Sequence, residues 1–189
     1  MLIEIPEDTI KIIHAYEGLI GEKQGRYFEY HGPADPKGVY TIGRGHKLTR
    51  LEREKGRFKD GLTLQEVDEL FARDIQPRAV RLDKLIPNRT KQEFAAALSF
   101  FYNNEYAWGP KGSPGKFHRA GLKKDAAASF LLYIYSGKPK KKRLGLWRRR
   151  ATEALYYLTG DVLVSKTGAE DKSLVRELAS AGVTTSIPS

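Results

Sequence analysis

Glu17, Asp35 and Thr41 are the residues whose types and order suit acid–base chemistry at a glycosidic bond. Cleaving such a bond takes a carboxylic acid that protonates the leaving oxygen. It also takes a second group that attacks directly, or that positions and activates a water. Glu17 closes a helical pattern, with Ile13 and Tyr16 as apolar neighbours, and Asp35 and Thr41 lie on a stretch patterned as a hairpin. A carboxylate and a hydroxyl so placed can hold a water from two sides. His46 ends that stretch in Gly43-Arg44-Gly45-His46. Four scattered histidines, no cysteine and no close ligand spacing argue against zinc, so His46 reads as a scaffold residue and no metal is expected. No Gly-Lys-Ser/Thr follows the glycines, which excludes a phosphate loop. Taken alone these letters are not specific, because most glutamates at helix ends are solvated surface groups.

The elements that must position these residues follow from the pattern along the chain. Pro6-Glu7-Asp8 opens a helix with acids at its positive end, and Ile10, Ile13 and Tyr16 form its apolar face. From Gly21 to His46, glycines and prolines punctuate the short runs Arg26 to Tyr30 and Val39 to Ile42, which predicts a small antiparallel sheet. Thr63-Leu64-Gln65-Glu66 and Thr90-Lys91-Gln92-Glu93 are capping boxes. The first opens a helix with the stripe Val67, Leu70, Phe71 and Ile75, the second a helix carrying Phe94, Ala97, Leu98 and Phe101. Tyr106 to Gly115 reads as a loop, Asp125 to Tyr135 as a short apolar helix, and Gly137 to Lys142 as a basic turn. A last long helix runs from Gly145 to Leu158 and stops at Thr159-Gly160. The tail holds one weak stripe, Leu174, Val175 and Leu178, and a Ser/Thr-rich end patterned for disorder. Strands grouped in one segment and helices in another predict an α+β fold, with a cleft between lobes as the natural polymer site. The expected division is a catalytic domain over residues 1–160, with a β lobe at about 21–48 and an all-helical lobe at about 60–160, and a C-terminal extension over 161–189 that is partly helical or disordered.

Longer motifs supply the specificity that single residues lack. Tyr16-Glu17-Gly18, followed by Gly38-Val39-Tyr40-Thr41-Ile42-Gly43-Arg44-Gly45-His46, strongly resembles the lysozymes and endolysins of tailed bacteriophages. Further motifs resemble the same family in the same order: Leu62-Thr63 with the helix it opens, Gln92-x-x-x-Ala96-x-x-Ser99-Phe100-x-Tyr102-Asn103, and Gly145-Leu146-x-x-Arg149-Arg150-x-x-Glu153. The resemblance spans roughly residues 10 to 158. It implies a lysozyme-like fold and an inverting muramidase that cuts peptidoglycan between N-acetylmuramic acid and N-acetylglucosamine. It assigns Glu17 as general acid, Asp35 and Thr41 as the pair that orients water, and Asn103 as a sugar-binding residue. Arg149 or Arg150 is similar to the family arginine that pairs with the catalytic glutamate. Two departures stand out. Seventeen residues separate Glu17 from Asp35, more than in the family, so Gly21 to Ala34 contains an insertion that reads as a longer first hairpin. If the insertion lies after Glu22 or Glu29 rather than before, one of those takes the place of Asp35, although the five residues between Asp35 and Thr41 match the family spacing. Asn104-Glu105 replaces the family's small residue and Gly.

Composition bounds the partners. The 189-residue chain carries a net charge of +10, and residues 111–150 alone hold thirteen Lys or Arg against Asp125, a local excess of +12. Such a face attracts polyanions by steering and counterion release. The chain has no recognisable nucleic-acid motif, so the anionic cell envelope is the expected partner beside peptidoglycan, and no nucleic acid or cofactor is expected. Lys138 to Arg143 and Arg148 to Arg150 are the densest runs, and Tyr133, Tyr135 and Trp147 beside them read as core at helical spacing rather than as sugar platforms. The first twenty residues lack a basic start and a long apolar stretch, and the longest largely apolar run, Ala126 to Tyr135, falls short of a membrane span. The expectation is a monomer without signal peptide or anchor, held in the host cytoplasm until a separate membrane-permeabilising protein releases it. A lytic transglycosylase acting on the same bond, a non-catalytic wall binder and a nucleic-acid binder are the competing readings.

Overall fold

The computed structural model describes residues 2–32 and 38–188, and the chain divides into two compact units. One comprises Met1–Tyr16 with Arg78–Ser189, the other Glu17–Pro77.

The smaller unit is built from tight hairpins. Strands β1 (Glu22–Lys23) and β2 (Arg26–Tyr27) pair antiparallel with Glu22 opposite Tyr27 and Lys23 opposite Arg26. Gln24 (φ 51°) and Gly25 (φ 75°) between them are both left-handed, the backbone a two-residue hairpin turn demands. Gly21 precedes this hairpin at φ 82°, where a Cβ would lie 2.6 Å from the Phe28 carbonyl oxygen, so only glycine fits. Strands β3 (Thr41–Ile42) and β4 (His46–Lys47) pair with Thr41 opposite Lys47 and Ile42 opposite His46. The single sheet expected over 21–48 is therefore two separate ladders, joined to the rest of the unit by lone bridges at Tyr30–Thr41 and Tyr27–Leu62. Strands of two residues bury too little surface to hold alone. Ile42, Phe58 and Leu70 supply the core, with Leu48 and Leu62 packed against them. Phe58 comes from the turn after the first helical segment that follows, and Leu70 from the second. Helix α2 (Arg50–Glu54) is set by the Thr49/Glu52 capping box, and α3 (Leu64–Leu85) by the expected Thr63/Glu66 pair. Helix α3 continues through Pro77, the last residue of this unit, although proline removes a helical donor there.

The larger unit is organised around α4 (Lys91–Asn103), whose residues Glu93 to Phe101 are all buried. Its Thr90/Glu93 capping box forms as the sequence predicts. Helix α1 (Glu7–Tyr16) packs on α4 and is tied to it by the Thr9 hydroxyl, which donates to the Ala95 carbonyl at 3.1 Å. Helix α7 (Leu144–Thr159) lies along α4 and ends at Gly160 in the left-handed conformation (φ 82°), the stop expected from Thr159-Gly160. Phe100, Trp108, Phe130 and Tyr157 meet edge-on or tilted, with ring centroids 5.0–6.3 Å apart. Truncating a buried aromatic of this kind costs about 3–5 kcal/mol.

Four local expectations are corrected. The 106–115 loop holds a 3-10 turn (Glu105–Trp108) and the start of α5 (Ser113–Arg119), because Ala107 and Trp108 are drawn into the aromatic core. Helix α6 (Lys123–Phe130) ends before Tyr135, and the lobe expected to be all-helical carries a hairpin. Its strands β5 (Tyr135–Ser136) and β6 (Lys141–Lys142) flank what reads in sequence as a basic turn. Trp147 is fully buried and Tyr133 meets Phe100 edge-on, as a core reading requires, whereas Tyr135 is exposed.

Residues after Gly160 pack on α7. Helix α8 (Gly168–Ser180) starts at a Thr167/Glu170 capping box and buries Leu174 and Leu178. Asp171, also buried, accepts two hydrogen bonds from Arg148 of α7, both 2.8 Å, and a third from the Ser165 hydroxyl. Thr185 accepts a bond from the Trp147 indole at 3.1 Å. Among the described residues no helix is long and apolar enough to cross a membrane.

Candidate active site

Glu17 follows directly on α1, at its junction with the smaller unit, and is half-buried. What fixes its place is the residue before it. The Tyr16 hydroxyl lies 2.7 Å from the Thr152 hydroxyl and 3.2 Å from the Arg148 carbonyl of α7, and the Ser165 backbone N–H approaches it at 3.3 Å. Thr152 donates its one proton to the Leu163 carbonyl at 2.7 Å, so Tyr16 donates to Thr152 and accepts from Ser165. Burial pushes the Tyr16 phenol upward, which keeps it neutral and able to donate. The end of α1 is thereby pinned to α7 and to the C-terminal segment.

Thr41 lies in β3 and is 7 % exposed. Its backbone N–H and C=O are both engaged with Tyr30, at 2.9 and 2.8 Å, so only its hydroxyl is left for chemistry. Asp35 lies outside the described residues. Of the two alternative carboxylates, Glu22 is exposed in β1, and Glu29 is exposed and paired with Arg53 at 3.6 Å. His46 of β4 sits between two carboxylates, its Nδ1 2.9 Å from Asp74 and its Nε2 3.4 Å from Glu52, with Phe58 edge-on to the ring. The Asp74 contact, against a smaller opposing effect of burial, raises its pKa. His46 thus ties the β3–β4 hairpin to α2 and α3, a scaffold role.

In the larger unit, Asn103 ends α4 on the surface, and its Oδ1 accepts from Arg150 Nη2 at 2.6 Å. Arg149 and Arg150 are not surface groups: they are 4 % and 0 % exposed. Both converge on Glu153, itself fully buried, with Arg149 Nε at 3.1 Å and Arg150 on the other carboxylate oxygen. The Ser99 hydroxyl donates to the same carboxylate at 2.7 Å, and Arg149 also donates to the Ser99 carbonyl at 3.1 Å. The Arg150 guanidinium lies over the Phe100 ring, 3.8 Å from its centroid. Glu105, the departure next to Asn104, pairs with Arg81 at 2.6 Å and Arg78 at 3.3 Å, which holds the turn after Asn103 to α3.

Two partners in this arrangement had readable signals. Glu153 stands at i+4 and i+3 from the two arginines, the spacing of helical ion pairs, and Ser99 stands in the same motif as Asn103. Ser165 and Asp171 had none, because their partners lie far away in sequence. Among the described residues no cluster of His, Asp or Glu is suited to hold a metal.

No curated protein sequence matches the chain significantly. The chain is similar in structure to the muramidase domain of SpmX from Asticaccaulis excentricus, with 23 % identity, 82 % of this chain and 98 % of that one covered, and a TM-score of 0.66. An endolysin from Escherichia coli O157:H7 phage FAHEc1 gives 22 % identity, 84 % and 96 % coverage and a TM-score of 0.65. The active form of the P1 phage endolysin Lyz gives 21 %, 84 % and 86 %, and 0.61. At these identities the likeness establishes a lysozyme-like α+β fold. The model of the phage lysozyme family matches residues 25–153, and with that match over most of its length the chain belongs to the phage lysozyme family.

Proposed function

We propose that the protein is an endolysin that hydrolyses the β-1,4 bond between N-acetylmuramic acid and N-acetylglucosamine in peptidoglycan and so lyses the host cell. Membership of the phage lysozyme family makes it a lysozyme-type glycosidase acting on peptidoglycan. The observation that carries the finer reading is the pinned end of α1, which delivers Glu17 immediately after a half-buried, hydrogen-bonded Tyr16.

In this reading Glu17 protonates the leaving glycosidic oxygen. Asp35 and the Thr41 hydroxyl hold a water on the opposite face of the sugar, and attack by that water inverts the anomeric centre. Asn103 contributes its amide N–H groups to a sugar, since its Oδ1 is taken by Arg150. Arg149 and Arg150, being buried, act on substrate through Asn103 and the α4–α7 network rather than by touching sugar. The enzyme works as a monomer, without cofactor or nucleic acid, and reaches the wall from the host cytoplasm after a separate protein permeabilises the membrane. A lytic transglycosylase is the second reading, favoured if Asp35 holds no water.

The test is mass spectrometry of soluble fragments from lipid-free peptidoglycan, with the Glu17→Gln protein as control. Reducing N-acetylmuramic ends released by the wild type and lost in the control are expected. Anhydro ends point to transglycosylation. Fragments released equally by Glu17→Gln remove Glu17 from the mechanism.

A further inference from the structure

The β5–β6 hairpin carries a charge cluster that the catalytic reading does not use. Lys138, Lys140, Lys141, Lys142 and Arg143 are all exposed. No acid occurs between Asp125 and Glu153, and Glu153 is buried under its own arginines. None of these five cations makes an ion pair among the described residues; the Arg143 side chain bonds only the Ser136 hydroxyl, at 3.2 Å. The cluster does not serve the fold. It runs into the N-terminus of α7, where Arg143 is the cap residue with no side-chain capping bond and the first turn holds no acid. Cations at the positive end of a helix are unfavourable. Five like charges on a tight hairpin, placed against a helix dipole, are explained by an anion that comes from outside.

Exposed apolar side chains stand among these cations. Tyr135, opposite Lys142 in the ladder, is 48 % exposed; Leu132, before β5, is 63 % exposed, and Leu144, next to Arg143, is 37 % exposed. The Arg143 N–H donates to the Ile134 carbonyl at 2.8 Å, which brings the two flanks of the hairpin together. A soluble polyanion would need the charges only. Cations mixed with an aromatic and two leucines match an interface of anionic headgroups over acyl chains. We propose that the β5–β6 hairpin docks the enzyme on an anionic phospholipid surface, with its Lys and Arg side chains on lipid phosphates and Leu132, Tyr135 and Leu144 at the acyl boundary. This identifies the envelope partner of the basic region as lipid, and it does not depend on which bond the enzyme cuts.

The test is co-sedimentation of the full chain with vesicles of phosphatidylglycerol and phosphatidylcholine, compared with phosphatidylcholine alone. Wild type is expected to bind the anionic vesicles only, and less as salt rises. Lys140→Glu/Lys141→Glu/Lys142→Glu is expected to weaken that binding by roughly a hundredfold or more, given the contribution of each cation at an anionic surface. Leu132→Ser/Tyr135→Ser is expected to weaken vesicle binding about tenfold while leaving retention on soluble polyphosphate unchanged. Both variants should digest lipid-free peptidoglycan at the wild-type rate, which shows that they fold and separates this test from that of the catalytic reading. Wild type that ignores anionic vesicles, or a triple variant that binds them as well as wild type, overturns the proposal. So does an unaltered vesicle affinity of Leu132→Ser/Tyr135→Ser, because the patch then reads charge on any polyanion rather than lipid.

Discussion

Tyr16→Phe removes one oxygen and isolates the device that places Glu17. The lost hydroxyl is the donor to Thr152 at 2.7 Å and the acceptor of the Ser165 N–H at 3.3 Å. Thr152 keeps its own bond to Leu163, so it loses an incoming proton but no outgoing bond. Ser165 is fully buried and its N–H is left without this acceptor. An unsatisfied buried group costs about 1–3 kcal/mol, and the length of the Ser165 bond puts the total near the lower half of that range. For a chain of this size the melting temperature should fall by roughly 3–8 °C. The effect on catalysis should be larger than the effect on folding. A general acid must stay within hydrogen-bond reach of the leaving oxygen, and displacement by about 1 Å can cost on the order of a hundredfold. We expect kcat on purified peptidoglycan to drop ten- to a hundredfold at 20 °C, where circular dichroism shows the variant folded. A lower melting temperature with unchanged kcat would falsify the positioning role and leave Tyr16 as a residue of the fold alone. An unchanged melting temperature would refute the hydrogen-bond accounting itself.

Other expectations follow from the buried groups. Glu153→Ala leaves two buried guanidinium groups without their shared carboxylate, which should cost about 3–5 kcal/mol in urea unfolding; a loss under about 1 kcal/mol would mean the arginines find other partners. Asn103→Ala should raise KM about 5–30-fold with a smaller change in kcat, as expected for one lost hydrogen bond to substrate; the opposite split would place Asn103 in the chemistry. Two histidines should respond to pH in opposite senses. His46 has its pKa raised, chiefly by Asp74, so its contribution is complete below the ordinary value of about 6.5 and is lost as pH rises through the folded value. His118 has its pKa lowered, first by burial and then by Lys123, so its contribution is present above that ordinary value and lost as pH falls. His46→Gln should therefore destabilise more at pH 5.5 than at pH 8.5, measured by urea unfolding at each pH, and a gap that widens with pH would contradict the assignment of Asp74 as its main partner.

The sequence by itself determined the elements whose causes are local. Capping boxes at Thr63 and Thr90 form because both partners lie within four residues, and Gly160 ends α7 because a left-handed residue needs nothing distant. The order of motifs likewise pointed to the phage lysozyme family, since a motif is a local string. Short strands and turns were less legible. Two-residue strands have no periodicity to read, so the β3–β4 ladder and the β5–β6 hairpin depend on contacts to Phe58, Leu70 and Ile134 that only the folded chain supplies. The same limit hid how the site is held. Arg149 and Arg150 stand in sequence in one of the densest basic runs, yet burial turns them inward onto Glu153 and Ser99. The tail carries only a weak helical stripe, but Ser165 reaches Tyr16 across 149 positions and Asp171 reaches Arg148 across 23. Hydrogen bonds between groups so far apart leave no spacing rule in the chain, and tertiary packing alone decides them.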